Sequence, residues 1–215
     1  MSIKSYKYIL LDWDGNLART LDIWLAALRL SLQKRGHNFP DKQIGANFTV
    51  FQERMVSLGM KDVEAMITEA DELATRQVPN VELYPDAIAT LENLHKINKK
   101  LALVTTSRHD QIDDLIIKHS LSDIFDVIVC GDDVANHKPH PEPIEKALQM
   151  FGANKEDALM VGDSGSDITG AANAGVDSVL FFPSSHARFY DLDTLRKLEP
   201  TYIIEDFREL VEVVS

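Results

Sequence analysis

Tyr8–Ile9–Leu10–Leu11–Asp12–Trp13–Asp14–Gly15 is a run of four apolar residues that stops on two carboxylates and a glycine. A short, continuous apolar run with a polar turn behind it suits a strand buried on both faces of a parallel sheet. The same form recurs along the chain. Leu101–Ala102–Leu103–Val104 runs into Thr105–Thr106–Ser107, and Val127–Ile128–Val129–Cys130 into Gly131–Asp132–Asp133. Ala158–Leu159–Met160–Val161 runs into Gly162–Asp163–Ser164, and Val179–Leu180–Phe181–Phe182 into Pro183–Ser184. Tyr202–Ile203–Ile204 is a sixth candidate.

Helical spacing fills the gaps between these runs. Ile88, Leu91 and Leu94 follow Pro85–Asp86, and Ile144, Ala147, Leu148 and Phe151 follow Pro141 and Pro143. Strands that alternate with helices predict an α/β fold: a three-layer, Rossmann-like core with a mostly parallel sheet. In such folds ligands sit beyond the carboxyl ends of the strands, and every polar cluster named above falls at that edge.

One stretch breaks the alternation. Leu21, Trp24, Leu25, Leu28 and Leu32 make one helical face; Phe48, Phe51, Met55 and Leu58 make a second; Val63, Met66, Ile67, Ala70 and Leu73 make a third. Gly36, Pro40, Gly59 and Pro79 punctuate them. The expected organisation is a core of residues 1–19 and 83–215, with residues 20–82 inserted as a helical cap. No internal repeat or low-complexity segment interrupts it.

The bulk composition narrows the function. The chain has 215 residues, enough for one good core plus a small attached domain. Its 34 acidic and 22 basic residues give a formal net charge of −12. Phosphate contacts dominate nucleic-acid affinity, so a chain this acidic, without a Lys/Arg-rich run, is not expected to bind nucleic acid. A small anionic ligand would need local positive charge or a bound cation. Cys130 is the single cysteine, so no internal disulfide can form. No apolar run reaches the roughly 18 residues of a membrane helix, and Met1 to Tyr8 lacks a signal-peptide h-region. The expected location is the cytoplasm, and a monomer is the default.

The strand ends carry the chemistry. Asp12 and Asp14 lie two residues apart, which places them on the same side of a strand. Carboxylates this close repel unless a cation or a shared proton relieves them; alternatively, one of them caps the turn. Asp163 and Asp167 stand four apart in Gly162–Asp163–Ser164–Gly165–Ser166–Asp167, a spacing that also serves a helix N-cap. If both pairs converge, an oxygen-rich cluster selects a hard cation, Mg²⁺ rather than zinc. Lys138 lies among prolines in His137–Lys138–Pro139–His140–Pro141–Glu142–Pro143, where the backbone is stiff. It either neutralises those acids or is an ordinary surface lysine. Thr105, Thr106 and Ser107 could grip phosphate oxygens or cap the next helix.

Together these four pieces resemble the haloacid dehalogenase superfamily of phosphohydrolases. Asp12–Trp13–Asp14–Gly15–Asn16–Leu17 is similar to its first motif, DxDGT; Thr105 takes the place of the second-motif Thr/Ser, Lys138 that of the third-motif lysine, and Gly162–Asp163 through Asp167 resembles the fourth motif. Ala171–Ala172–Asn173–Ala174–Gly175 resembles the helix that follows. The closest subgroup contains phosphoglycolate phosphatases and β-phosphoglucomutases, which carry a small helical cap after the first motif.

The resemblance implies a Mg²⁺-dependent phosphatase acting on a small phosphorylated metabolite. In that scheme Asp12 is the nucleophile and Asp14 the general acid and base. Asp12, Asp14, Asp163 and Asp167 would serve the metal, and Thr105, Thr106 and Lys138 the phosphoryl group. The chain departs from the family pattern at Asn16, where Thr is usual, and at Arg19–Thr20, where Asp-Ser is common. Arg19, at the entrance to the cap, is expected to contact an anionic part of the substrate distal to the scissile phosphate or to pair with a cap carboxylate; the alternative is a solvated hinge arginine. Asn47, Thr49, Gln52 and Arg54 are further candidates within the cap. The alternatives are a phosphomutase, which in this family carries a His where this chain has Trp24, and a non-catalytic phosphate-binding module.

Overall fold

The computed structural model describes residues 5–45 and 51–215. In chain order the elements are β1 (Tyr8–Leu11), α1 (Leu21–Lys34), α2 (Asp41–Gly45), α3 (Phe51–Ser57), α4 (Val63–Thr75), α5 (Ala87–Lys96), β2 (Lys100–Val104) and α6 (His109–Lys118). There follow β3 (Val127–Val129), α7 (Glu142–Phe151), β4 (Ala158–Gly162), α8 (Gly165–Ala174), β5 (Asp177–Phe181), α9 (Leu192–Arg196), β6 (Tyr202–Ile204) and α10 (Glu209–Val214). All six strands pair in parallel, in the order β3-β2-β1-β4-β5-β6.

Period-two alternation of side chains along a strand divides the core into two layers. Ile9 and Leu11 of β1 face one side of the sheet with Leu101, Leu103, Leu159 and Val161, where Leu91 and Leu94 of α5, Ile112 and Leu115 of α6 and Leu210 of α10 cover them. Leu10 faces the other side with Ala102, Val104 and Met160, under Ile144 and Leu148 of α7 and Ala171 of α8. The register pairs Leu10 with Ala102 on one flank and with Met160 on the other. β1 is therefore central, and the order of the strands reverses between β1 and β4. Ligands bind at such a switch point in open parallel sheets.

The four helices α1–α4 pack around a separate apolar cluster. Leu25, Leu28 and Leu32 of α1 meet Phe51 and Met55 of α3 and Met66 and Ala70 of α4. The chain enters this bundle and leaves it side by side: the Arg19 N–H donates to the Glu82 carbonyl at 2.9 Å, and the Tyr84 N–H to the Leu17 carbonyl at 2.9 Å. The segment after β5 reaches back to the bundle. Phe189 is buried in its apolar cluster, and Arg188 bonds Asp22 of α1 at 2.6 Å and Asp41 of α2 at 3.0 Å.

Three local expectations shift. Ile88 is 37% exposed, because the inward stripe of α5 runs Ala87, Leu91, Leu94. Leu58 lies just past the end of α3 and is 44% exposed. The short helix α2 carries only Ile44 as a buried apolar side chain, too little for periodicity to reveal. Phe48, Asn47 and Thr49 lie outside the described residues. Among the described residues, no helix is long and apolar enough to cross a membrane.

Candidate active site

Asp12 directly follows β1, and its own N–H still donates to the Val161 carbonyl of β4 at 3.0 Å. The sheet ladder thus holds the first carboxylate at the switch point. The chain then turns through Gly15, whose φ is +75°, a conformation that glycine adopts without strain. A Cβ at this position would stand 2.3 Å from an Asp163 carboxylate oxygen, so glycine also lets β1 and β4 bring their acids together. Asn16 donates its side-chain amide to the Asp12 carbonyl at 3.0 Å and so braces the backbone at Asp12.

Lys138 sits at the centre. Its Nζ lies 2.7 Å from Asp12 Oδ1, 2.7 Å from Asp167 Oδ1 and 2.9 Å from the Val104 carbonyl, one acceptor for each ammonium proton. The Lys138 side chain is 2% exposed. The other Asp167 oxygen accepts from the Ser164 N–H at 3.1 Å and the Ser164 hydroxyl at 2.6 Å. Both Asp167 oxygens are therefore occupied, one capping α8 and the other holding the lysine. Thr105 is buried after β2, and its Oγ1 accepts from the Ser107 N–H at 3.1 Å. The Ser107 hydroxyl in turn donates to Asp14 at 2.8 Å and fixes the second carboxylate of the first pair. Thr106 is exposed on the same loop.

Asp12, Asp163 and Asp167 are all buried, with carboxylate oxygens within 4.8 Å of one another. Lys138 is the single cation paired with them among the described residues, so three ionised carboxylates would outweigh the local positive charge. Burial pushes Asp12 up, the Asp167 and Asp14 carboxylates add to this, and Lys138 offsets only part of it, leaving Asp12 at about 7. Asp163 is pushed well above the usual carboxylate range by burial and by Asp167 and Asp12. For Lys138 burial acts downward, but the two carboxylates outweigh it and hold the ammonium above its ordinary value. One oxygen of Asp163 is buried without a hydrogen-bond partner among the described residues. An orphaned carboxylate oxygen in an all-oxygen donor set with surplus negative charge fits a small hard cation.

Sequence reasoning missed Tyr190. Its hydroxyl hydrogen-bonds Asp163, and it follows Phe189 in the segment that touches the helical bundle. Nothing local in the sequence announces this contact; only the path of the chain after β5 brings it about. Arg19 is not drawn into the cluster. It lies 4.0 Å from Glu82, with its guanidinium 5.9 Å from the Tyr84 ring centre. Gln52 and Arg54 are exposed on α3.

Comparison with known proteins agrees with this geometry. The profile of the haloacid dehalogenase-like hydrolase family matches residues 9–181. Pyrophosphatase PpaX of Halalkalibacterium halodurans is 30% identical over 212 residues, which cover 96% of each chain. Pyrophosphatase PpaX of Oceanobacillus iheyensis is 31% identical over 213 residues, 98% of each. A solved structure from Bacteroides fragilis, of a protein assigned to the haloacid dehalogenase-like hydrolases, superposes with a TM-score of 0.83 at 27% identity, covering 96% of this chain and 100% of the other. With the Asp12 strand end, Lys138 and the second acidic strand end gathered at one switch point, and with the family profile matching residues 9–181, this chain belongs to the haloacid dehalogenase-like hydrolase family.

Proposed function

We propose that the protein is a Mg²⁺-dependent phosphatase that hydrolyses a small phosphate monoester through an aspartyl-phosphate on Asp12. The observation that carries this reading is the Asp12 carboxylate, held at 2.7 Å by buried Lys138 beside an Asp163 oxygen with no partner among the described residues. An Asp12 oxygen attacks phosphorus, the bond to the leaving oxygen breaks, and Asp14 gives that oxygen its proton. Asp14 then takes a proton from water, which attacks the acyl phosphate and frees Asp12. The Thr105 hydroxyl and the Thr106 N–H are the donors for the phosphoryl oxygens, and the Lys138 charge offsets theirs through space. Asp12, Asp163 and the Asp14 carbonyl would hold Mg²⁺, which supplies further positive charge to the transferring group. Asp167 positions Lys138. Residues 20–82 act as the cap, and residues 1–19 and 83–215 as the catalytic core.

The test is turnover of p-nitrophenyl phosphate after EDTA treatment, with metals added back. Mg²⁺ is expected to restore activity. Ca²⁺ is expected to support little, since it accepts more oxygen ligands at longer distances and would draw Asp12 into bidentate binding. Full activity in EDTA, or equal activity in Ca²⁺, would refute the metal assignment.

Tyr190 gives a finer test. Tyr190→Phe removes the hydroxyl that orients Asp163. The Mg²⁺ concentration for half-maximal rate is expected to rise about tenfold, the usual order for groups that orient a metal ligand. The melting temperature should change little. A lower kcat at an unchanged Mg²⁺ requirement would mean that Tyr190 does not act through Asp163.

A further inference from the structure

A cavity of about 510 Å³ opens between α1 and α4 of the helical bundle and α6 of the core. Asp14 and Ser107 form part of its wall, whereas Asp12, Lys138 and Asp163 do not line it. If Asp14 gives its proton to the leaving oxygen, the leaving group lies on the Asp14 side of the phosphorus, which is this cavity. The walls of the cavity then select the alcohol.

Two properties of those walls point the same way. The first is charge. Asp71 and Glu72 of α4 and Asp110 and Asp114 of α6 join Asp14 around the space. They face three cations, Arg76, Arg108 and Lys118. Arg108 is already paired with Asp110 at 2.6 Å, and Lys118 donates to the Pro79 carbonyl. Neither Arg76 nor Lys118 has an ion pair among the described residues, yet five carboxylates stand against three cations around the space. A second negative charge on the leaving group would therefore meet a wall of surplus carboxylates and be repelled. The second property is shape and apolarity. Trp24 of α1, Val78, Pro79, and Ile112 and Leu115 of α6 line the same space. An orthophosphate leaving group would fill little of it and would bury none of this apolar surface.

We propose that the substrate is a phosphate monoester whose leaving alcohol bears no negative charge and presents an apolar, ring-sized face to Trp24. Pyrophosphate, the substrate named for the two PpaX relatives, is then a poor substrate here. The proposal rests on the phosphatase reading, and the experiment separates the two.

Benzyl phosphate, 4-carboxybenzyl phosphate and 4-(aminomethyl)benzyl phosphate share one ring and one leaving oxygen and differ in distal charge. Their kcat/KM is measured on the intact protein with Mg²⁺, beside methyl phosphate and pyrophosphate. The benzyl and aminomethyl esters are expected to exceed the carboxybenzyl ester by about tenfold, and benzyl to exceed methyl by a similar factor. Asp71→Asn with Glu72→Gln should narrow the gap between the benzyl and carboxybenzyl esters, and Trp24→Ala should shrink the ratio of benzyl to methyl. Pyrophosphate or the carboxybenzyl ester matching or beating benzyl phosphate would overturn the proposal while leaving the phosphatase standing. If no ester is turned over, or if turnover persists in Asp12→Asn, the phosphatase reading itself falls and takes this proposal with it. The wild-type series decides the matter even if a cap variant fails to fold.

Discussion

Replacing Asp12 with Asn is expected to lower kcat by about 10,000-fold or more, the order seen when a covalent nucleophile is removed. The amide is nearly isosteric with the carboxylate, but it is a poor nucleophile and a weak ligand for a hard cation. The fold should survive, and for a reason specific to this site. Asp12 is one of three buried carboxylates served by one lysine, and its raised pKa means that its charge is held at a cost to the folded state. Removing that charge relieves repulsion from Asp167 and Asp163, while the amide oxygen can still accept from Lys138. In EDTA near neutral pH, the melting temperature of the variant should equal or exceed that of the wild type. Two results would count against the scheme: residual turnover of a tenth or more, or a collapse in stability that makes the lost activity a folding defect.

The core was legible in the sequence because buried parallel strands leave a simple mark. The runs ending at Leu11, Val104 and Val161 carry no polar residue to confuse the pattern, and each is followed at once by the residues that reach the switch point. The cluster was legible for a related reason. Asp12 and Asp163 follow directly on strands, Asp167 stands in the first turn of α8, and Lys138 lies in a proline-bound loop between β3 and α7, so the parallel sheet brings the acids to one edge and the loop carries the lysine to them. Ser107 and Asn16 lie within the same turns, and their bonds to Asp14 and Asp12 are short-range consequences of those turns.

What the sequence hid depends on contacts between elements that no local pattern encodes. Tyr190 reaches Asp163 because the chain after β5 doubles back past α1 and α2, a path set by Phe189 in the bundle's apolar cluster and by Arg188 against Asp22 and Asp41. The apolar side of α5 was shifted by one residue, since Ala87 rather than Ile88 begins the inward stripe. Alanine gives a weak hydrophobic signal although it is wholly buried. Arg19 was legible as a charge at the entrance to the helical bundle but not in its direction. The paired backbone of residues 17–19 and 82–84 turns it toward Glu82 and Tyr84 rather than toward Asp14. The cavity's surplus of carboxylates was equally hidden, because Asp71 of α4 and Asp114 of α6 come to line one space only through the tertiary fold.

Lys138→Met should produce the largest loss of stability together with a loss of turnover of about a thousandfold, the order for removing preorganised positive charge from a phosphoryl-transfer site. The methionine side chain replaces the aliphatic stem but leaves Asp12, Asp167 and the Val104 carbonyl without their shared donor. Breaking a buried ion pair from one side typically costs about 3–5 kcal/mol. The pH dependence distinguishes this electrostatic loss from a packing loss. Asp12 has an ordinary value of 3.8 and is held at about 7 in the fold. Between those values the folded protein binds a proton that the unfolded chain has released. Stability is therefore full below the lower value and declines as pH rises toward the upper one. Asp163, also raised, acts in the same direction. Without Lys138 nothing offsets burial at Asp12, so its folded value rises further and the decline extends to higher pH. In EDTA the stability gap between wild type and variant should be smaller at about pH 5, where Asp12 is protonated in both, than at about pH 8, which lies above the wild-type value of about 7 but within the variant's extended decline. Added Mg²⁺ should recover part of the loss at the higher pH and little at the lower one, because a cation can compensate only a charge that is present. Urea unfolding at both pH values, with and without Mg²⁺, measures all four cases. A gap of the same size at both pH values would mean that Lys138 stabilises the fold through its stem, and that the buried cluster lacks the charge imbalance on which the metal assignment depends.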